Sequence, residues 1–278
     1  MKRRRVASLS LVLLILTALA AGAQESTTTP ASPAPVVTPG ISECAGFVSK
    51  TRLSDNLYVF DGSDNDNNQP LRQWVAGDYV YLRIRGGAAP VVGTEYRLVR
   101  PGNEYFRTQW YPWQWRAISA TGQLYQDAGK VRITKVTPQG AVAEIVFSCG
   151  PVYLRDLAIP FEPRPIPEYV PTAGGERFPQ PSGKLIGKIT AVESAGQYAG
   201  TGDIVYLNVG EADGARPGQR YRVFCILRDR GEGILVRKEP PREAIGELVI
   251  LTTDQRASVA VVVSSLREIT VGFGAELE

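Results

Sequence analysis

One stretch of this sequence occurs twice, and the repetition limits the fold more than any other feature. The clearer copy begins at Gly202 with the letters GDIVYLNVG and continues to Gly218, which opens GQRYR. The earlier copy begins at Gly77 with GDYVYLRIRG and continues to Gly93, which opens GTEYR. Gly202 lies 125 residues after Gly77, and Gly218 lies 125 residues after Gly93. Each copy predicts a turn, an alternating strand, a glycine-bearing loop and a second strand, so the chain contains a duplicated β unit.

The first 23 residues have the pattern of a secretory signal peptide. A basic start, Lys2 to Arg5, precedes an apolar run over residues 6–20. The small residues of Ala21-Gly22-Ala23 fit a cleavage site, which makes Gln24 the expected first residue of the mature chain. An uncleaved N-terminal anchor is the alternative. No later apolar run is long enough to span a membrane. We expect an exported, soluble product in the periplasm, at the cell envelope or in the medium.

The basic character of the whole chain comes from this leader. It holds four of the 31 Lys and Arg residues and none of the 28 acidic residues, which leaves 27 basic residues against 28 acidic ones. A mature chain with this balance offers no basic surface by composition, so nucleic acid is not an expected partner.

The remaining residues predict an all-β protein with two domains. Short runs rich in Val, Ile, Tyr and Thr alternate with Gly and Pro, which is typical of strands and turns. We expect a disordered Pro-, Thr- and Ser-rich tether over residues 24–42. The predicted fold is two tandem small antiparallel β-barrels, residues 43–162 and 183–278, since a barrel hides its strand edges. A proline-rich linker over residues 163–182 is expected to hold them apart.

The strand pattern also suggests how the two copies correspond. Residues 44–50 are predicted as the first strand of the first domain, matching residues 185–192 of the second. Residues 131–136 and 141–147 are predicted as a hairpin, because Pro138 and Gly140 specify the turn between them.

Three cysteines can be assigned from their places in this scheme. Cys44 starts the first predicted strand and Cys149 follows the last, and first and last strands meet when a sheet closes on itself. We therefore predict a Cys44–Cys149 disulfide, with two buried thiols as the alternative. Cys225 is left over within a strand, and we expect it to be a buried free thiol.

The second domain resembles a known family. The residues that carry the resemblance are the run from Gly202 through Gly210 to Gly218 and Tyr221, the segment opened by Gly246, and the ending at Gly272. They resemble the C-terminal domain of flagellar assembly protein T, and the first domain resembles it more loosely, as a diverged copy. The closing Gly-Asp of that family is Gly272-Phe273 in this chain. The resemblance implies a small periplasmic β-barrel with structural glycines at these places, used for assembly or binding.

The sequence lacks the residues of the common catalytic sites. It has no histidine, no phosphate-binding glycine loop between a strand and a helix, and no Cys-x-x-Cys pair. Residues 61–68 are rich in Asp and Asn, but Arg72 stands where a calcium loop needs glutamate, so a solvated turn is favoured. We expect no enzyme activity, no cofactor and no metal.

One aromatic stretch, residues 105–116, is the predicted binding surface. In an extended segment, Tyr111, Trp113 and Trp115 would point to one side and Trp110 to the other. Aromatic faces beside arginines suit sugar rings or a protein surface. The alternative is that the loop folds over the mouth of its own barrel and buries its rings. The proposed contact residues are Tyr105, Trp110, Tyr111, Trp113, Trp115 and Arg116.

These features predict a non-catalytic binding or assembly module of the bacterial cell envelope that works through protein–protein contacts. The alternative function is binding of peptidoglycan or another glycan through the aromatic stretch. The expected partner is thus an envelope protein or a glycan.

Overall fold

The structure is a computed structural model, and it describes residues 32–63, 73–102, 109–170, 175–226 and 241–278. Among its described residues, the first half holds two short helices between its strands. In chain order the elements are β1 (Ala34–Pro35), α1 (Pro39–Cys44), β2 (Phe47–Ser49), β3 (Leu57–Gly62), β4 (Gln73–Trp74), β5 (Tyr79–Ile84), β6 (Glu95–Pro101), α2 (Gln114–Thr121), β7 (Gln123–Thr137), β8 (Gly140–Ser148), β9 (Val152–Tyr153), β10 (Leu157–Pro160) and β11 (Glu168–Tyr169).

The described part of the second half is built from strands and one 3₁₀ turn. Its elements are β12 (Ile186–Val192), β13 (Tyr198–Ala199), β14 (Ile204–Leu207), the 3₁₀ turn Glu211–Asp213, β15 (Arg220–Ile226), β16 (Arg242–Asp254), β17 (Ala257–Ser265), β18 (Ile269–Thr270) and β19 (Gly274–Leu277). Neither α-helix of the described chain has the length and apolarity that crossing a membrane requires.

Two closed six-stranded antiparallel barrels confirm the predicted fold class. The first barrel runs around the ring β3–β5–β8–β7–β6–β10 and closes where β10 pairs with β3, and β2 adds to the outside of β7. The second runs around β12–β14–β17–β16–β15–β19 and closes where β19 pairs with β12. The two rings have the same strand order when β3 is matched to β12 and β10 to β19. Closure leaves no unpaired strand edge within either ring.

The duplicated turns have the same geometry in both barrels. Gly77 and Gly202 have φ of 97° and 95°, in the left-handed region that favours glycine. The carboxylates of Asp78 and Asp203 each accept a hydrogen bond from the amide three residues earlier, at 2.9 and 2.7 Å. The pairs Gly77-Asp78 and Gly202-Asp203 therefore each form a turn that precedes a barrel strand.

The barrel interiors repeat as well. Inward-facing residues alternate along each strand, because successive side chains point to opposite faces. Equivalent buried residues, first barrel before second, are Val59 and Ile189, Val80 and Val205, Leu82 and Leu207, Leu98 and Val223, Val131 and Leu248, Ile133 and Ile250, Ala143 and Ala260, Ile145 and Val262, and Ala158 and Ala275.

The predicted correspondence of first strands is wrong. The strand that matches Ile186–Val192 is Leu57–Gly62, because both pair with the strand that follows the Gly-Asp turn and both carry a bulge there. Residues 44–50 instead form the end of α1 and the outer strand β2. Pro39 begins α1, and the Thr38 hydroxyl accepts a hydrogen bond from the Ile41 amide, at 3.4 Å, as an N-cap. The predicted hairpin is confirmed, with Thr137 opposite Gly140.

The two barrels share an apolar interface, so the expectation that the linker holds them apart is wrong. Val48 of β2, Ile118 of α2 and Leu124 of β7 join one buried cluster with residues on the outside of the second barrel. The Tyr206 hydroxyl of that barrel donates a hydrogen bond to the Ala45 carbonyl, at 3.3 Å. Residues 33–278 accordingly form one compact unit.

Both predicted tethers are fastened to this unit where the structure describes them. Ala34–Pro35 pairs with Glu168–Tyr169, which joins the N-terminal segment to the linker. Arg164 of the linker binds the buried Asp127 carboxylate at 2.6 Å, and Arg97 binds Glu43 at 2.6 Å beside it. The mobile tether expected over residues 24–42 is therefore wrong for residues 34–42, because α1 and the buried Val37 lie there.

The Cys44–Cys149 disulfide is present, as predicted. It joins the last residue of α1 to the residue after β8 and closes a sequence separation of 105. Cys225 is a buried free thiol, also as predicted.

Candidate interaction surface

The aromatic stretch contains a helix and is not a continuous extended segment. Helix α2 begins at Gln114, directly after Trp113. The prediction that Tyr111, Trp113 and Trp115 alternate along an extended segment is therefore wrong, because Trp115 lies within the helix. Tyr105 lies outside the described residues.

Two of the predicted contact residues are used inside the molecule. Tyr111 and Trp113 stack on each other, with ring centroids 5.8 Å apart, and pack against the core of the second barrel. Lys188 of that barrel lies 4.8 Å from the Trp113 ring centroid, and Gln197 donates a hydrogen bond to the Tyr111 hydroxyl at 3.1 Å. The rings thus cover the neighbouring barrel, whereas the alternative considered from sequence placed them over their own.

Gln114 fixes this arrangement, and sequence reasoning missed it. Its side chain is 2% exposed. The amide Nε2 donates to the Thr190 carbonyl at 3.0 Å, and Oε1 accepts from the Trp110 amide at 2.9 Å. The sequence gives no signal for such a role, because the carbonyl that anchors Gln114, that of Thr190, belongs to the other barrel.

Trp110, Trp115 and Arg116 are the predicted contact residues that stay on the surface. Trp110 is 44% exposed, and its indole N–H donates to the Ala195 carbonyl at 3.3 Å. Trp115 is 50% exposed, and Arg116 is exposed beside it. These three residues remain available for an external ligand.

The outside of the second barrel carries a face that the first domain covers. We call it the covered face. Its apolar side chains project from β14, β16 and β17 and are packed beneath Val37, Ala45, Val48, Ile118 and Leu124. The covered face consists of Ile204, Tyr206, Val249, Leu251, Val259 and Val261.

No other described segment covers the equivalent face of the first barrel. We call it the open face. Tyr79 and Tyr81 stand where Ile204 and Tyr206 stand, because each lies 125 residues earlier and opposite the same strand. In the described chain no other segment packs over it. The open face consists of Phe60, Tyr79, Tyr81, Arg83, Arg132, Thr134, Val142 and Glu144.

Aromatic and arginine side chains dominate the open face. Tyr79 is 43% exposed and Phe60 is 37% exposed. Phe60 lies 6.4 Å from Tyr81, centroid to centroid, and the Arg83 guanidinium lies 4.5 Å from the Phe60 centroid. Tyrosine and arginine are enriched at protein interfaces and among the residues that contribute most to binding. The backbone beneath them is a closed barrel, so the surface is held rigidly.

The open face is more polar than the covered face. Arg132 and Thr134 occupy the positions of Val249 and Leu251, and Glu144 occupies the position of Val261. Polar substitutions at a contact face are typical of interfaces that form and separate. The covered face, by contrast, has the apolar composition of a permanent contact.

The charged residues elsewhere mostly hold the fold together. Arg177 and Arg267 both bind the Glu243 carboxylate, at 2.8 and 2.9 Å, and lower its pKa. Burial raises the pKa of the adjacent Cys225 thiol, although Arg267 Nη2 lies 2.9 Å from its sulfur. Within the described ranges, no group of three or more Asp, Glu, Cys or His residues could hold a metal ion.

The remaining sequence predictions can also be located. Residues 64–68 of the Asp- and Asn-rich stretch lie outside the described residues, while Asp61 and Gly62 end β3. The predicted structural glycines have two kinds of surroundings. Turn glycines with positive φ are Gly77, Gly93, Gly202 and Gly218, whereas Gly210 and Gly246 lie against neighbouring backbone that leaves no room for a side chain.

Comparison with known proteins does not assign this chain to a family. No protein-family model matches the chain, and no curated protein matches it. The resemblance of the second domain to the C-terminal domain of flagellar assembly protein T therefore stays a prediction.

Proposed function

We propose that this protein is a non-catalytic binding module of the bacterial cell envelope that acts through protein–protein contacts. The observation that supports it is the difference between two equivalent faces. The covered face binds a protein segment within this chain, and the open face has the same strand arrangement with exposed Tyr79 and Phe60. A surface of the same architecture suits a segment supplied by another protein.

The envelope setting rests on two features. The sequence begins with the pattern of a signal peptide. The Cys44–Cys149 disulfide is the kind of bond that persists in oxidising compartments such as the periplasm.

A capture experiment with matched variants tests this function. The protein is crosslinked in its own cells and purified, and covalent partners are identified. We expect a defined partner that is lost in Phe60→Ser/Tyr79→Ser/Tyr81→Ser. The control variant Trp110→Ser/Trp115→Ser removes aromatic rings of similar exposure from a different surface and is expected to keep the partner. Equal capture by both variants would place binding elsewhere and contradict the proposal.

Glycan binding is a second candidate, favoured by the exposed rings of Trp110 and Trp115 next to Arg116. Exposed aromatic faces can stack on sugar rings. The test is co-sedimentation with purified peptidoglycan. Sedimentation that is lost in Trp110→Ala/Trp115→Ala but kept in Phe60→Ser/Tyr79→Ser would establish it. If the parent protein stays in the supernatant, this candidate is excluded.

A further inference from the structure

The open face has opposite charges at its two ends. Arg83 lies opposite Gly140 in the β5–β8 ladder, and Glu144 lies opposite Tyr79, four residues along the same strand. At the usual rise along a strand, the two charged positions are about 13 Å apart. Tyr81 and Val142 are paired midway between them.

Neither end is neutralised by an ion pair with another described residue. Arg83 stacks over Phe60, 4.5 Å from its centroid. Arg132 lies opposite Glu144 on β7, but its guanidinium binds the Glu95 carboxylate at 2.9 Å. Both charges are therefore available to a partner.

A face with this pattern is complementary to itself. Consider a two-fold axis that lies between two facing copies and crosses the strands near Tyr81 and Val142. Rotation about that axis places the Arg83 end of one copy against the Glu144 end of the other, twice in the pair. The two Tyr81 rings meet at the centre. Isologous contacts of this kind, in which residue i meets j and j meets i, are typical of two-fold dimers.

We infer that the open face binds a second copy of this chain, in a reversible two-fold dimer held by aromatic packing and by two Arg83–Glu144 ion pairs. This inference rests on the proposed function, because it names the partner of the same surface. The polar residues Arg132 and Thr134 keep the face soluble in the monomer. The dimer is weak and depends on concentration and on ionic strength, because screening by salt weakens its ion pairs.

A charge-exchange experiment tests the dimer. Sedimentation is measured over a range of concentrations with the protein as purified from its cells. We expect Arg83→Glu and Glu144→Arg each to raise the dissociation constant about tenfold or more, because either change replaces both ion pairs by repulsion. An equimolar mixture of the two variants restores both pairs, and so does Arg83→Glu/Glu144→Arg. Recovery in both cases is the expected result.

Three outcomes bear on the inference separately from the proposed function. A parent protein that stays monomeric at every concentration overturns it, as does a dimer that is unaffected by the charge variants. Variants that fail to recover when mixed, while their circular dichroism shows them folded, also overturn it. If the protein is monomeric but a different captured partner is lost with the open-face tyrosines, the dimer fails and the proposed function stands.

Discussion

Trp113 of the first domain lies directly against Gly272 of the second barrel. A methyl group at Gly272 would lie 2.9 Å from Cζ2 of the indole ring, and the residue has φ of 101°. The equivalent residue of the first barrel is Arg155, also at positive φ (75°), whose side chain lies over Tyr58. Glycine in the second barrel leaves space that the ring of the neighbouring domain uses.

Removing the Trp113 ring should weaken the whole unit. We expect Trp113→Ala to cost about 2 kcal/mol, roughly half the cost of a fully buried tryptophan, because the ring is partly buried. Trp115→Ala is the matched control, since Trp115 is 50% exposed and should change stability by less than about 0.5 kcal/mol. Urea unfolding at equilibrium measures both. Equal costs would contradict the role assigned to Trp113.

Adding a side chain at Gly272 should act through the same contact. We expect Gly272→Ala to cost about 2 kcal/mol, from backbone strain together with displacement of the ring. Gly214→Ala is the control for strain alone, because its φ is 92° and nothing lies within 4 Å of the added carbon. In a Trp113→Ala background the cost at Gly272 should fall to the cost at Gly214. A cost that does not change with Trp113 would show that the two residues are not coupled.

The disulfide should contribute much of the stability. Because it joins residues separated by 105 positions, we expect Cys44→Ser/Cys149→Ser to cost about 4 kcal/mol. Thermal and urea unfolding, with and without a reductant, measure the effect. The reductant should destabilise the parent and leave the variant unchanged. A parent that is insensitive to complete reduction would argue against this contribution.

Glu193 should make stability depend on pH. Burial raises the pKa of its carboxyl above the ordinary 4.5, and the charges of Asp127 and Asp203 raise it further. Between the ordinary and the raised pKa, the folded chain binds more protons than the unfolded chain, so the contribution of Glu193 to stability falls as pH rises through that range. We therefore expect Glu193→Gln to be more stable than the parent at pH 7.

The parent protein and Glu193→Gln also provide the measurement that could contradict this prediction. Unfolding is compared at several pH values down to 4.5, and the advantage of Glu193→Gln should shrink as the parent carboxyl takes up its proton. An advantage that stays constant with pH would show that charge at Glu193 is not the cause.

Much of the fold could be predicted because the duplicated signals are local. Glycine at positive φ and aspartate accepting a nearby amide determine the turn at Gly77 and its copy at Gly202, whatever lies around them. Period-two alternation then indicated most barrel strands. The four-residue strand Leu157–Pro160 was missed because it ends in proline, which is depleted in strands.

The partners of side chains could not be predicted in the same way. Hydrophobicity indicates that a ring such as Trp113 packs somewhere, but it does not specify which barrel receives it. The same limit applies to Gln114, which bonds to Thr190 of the second barrel as well as to Trp110. It also applies to the short helix α1, most of which lies in the Pro-, Thr- and Ser-rich segment over residues 24–42 that was predicted as a disordered tether. The open face was missed because Tyr79 and Tyr81 fit the ordinary alternation of a barrel strand. Their exposure becomes informative only by comparison with the equivalent face of the second barrel, which is covered.

The most direct test of a protein-binding open face is photo-crosslinking in the cell. A photoreactive residue replaces Tyr79 in one version of the protein and Tyr198 in another, since Tyr198 is 52% exposed on the second barrel and lies outside both faces. We expect a discrete crosslinked species from position 79, either a second copy or another protein, and none from position 198. No crosslink at 79, or the same species from both positions, would contradict the account.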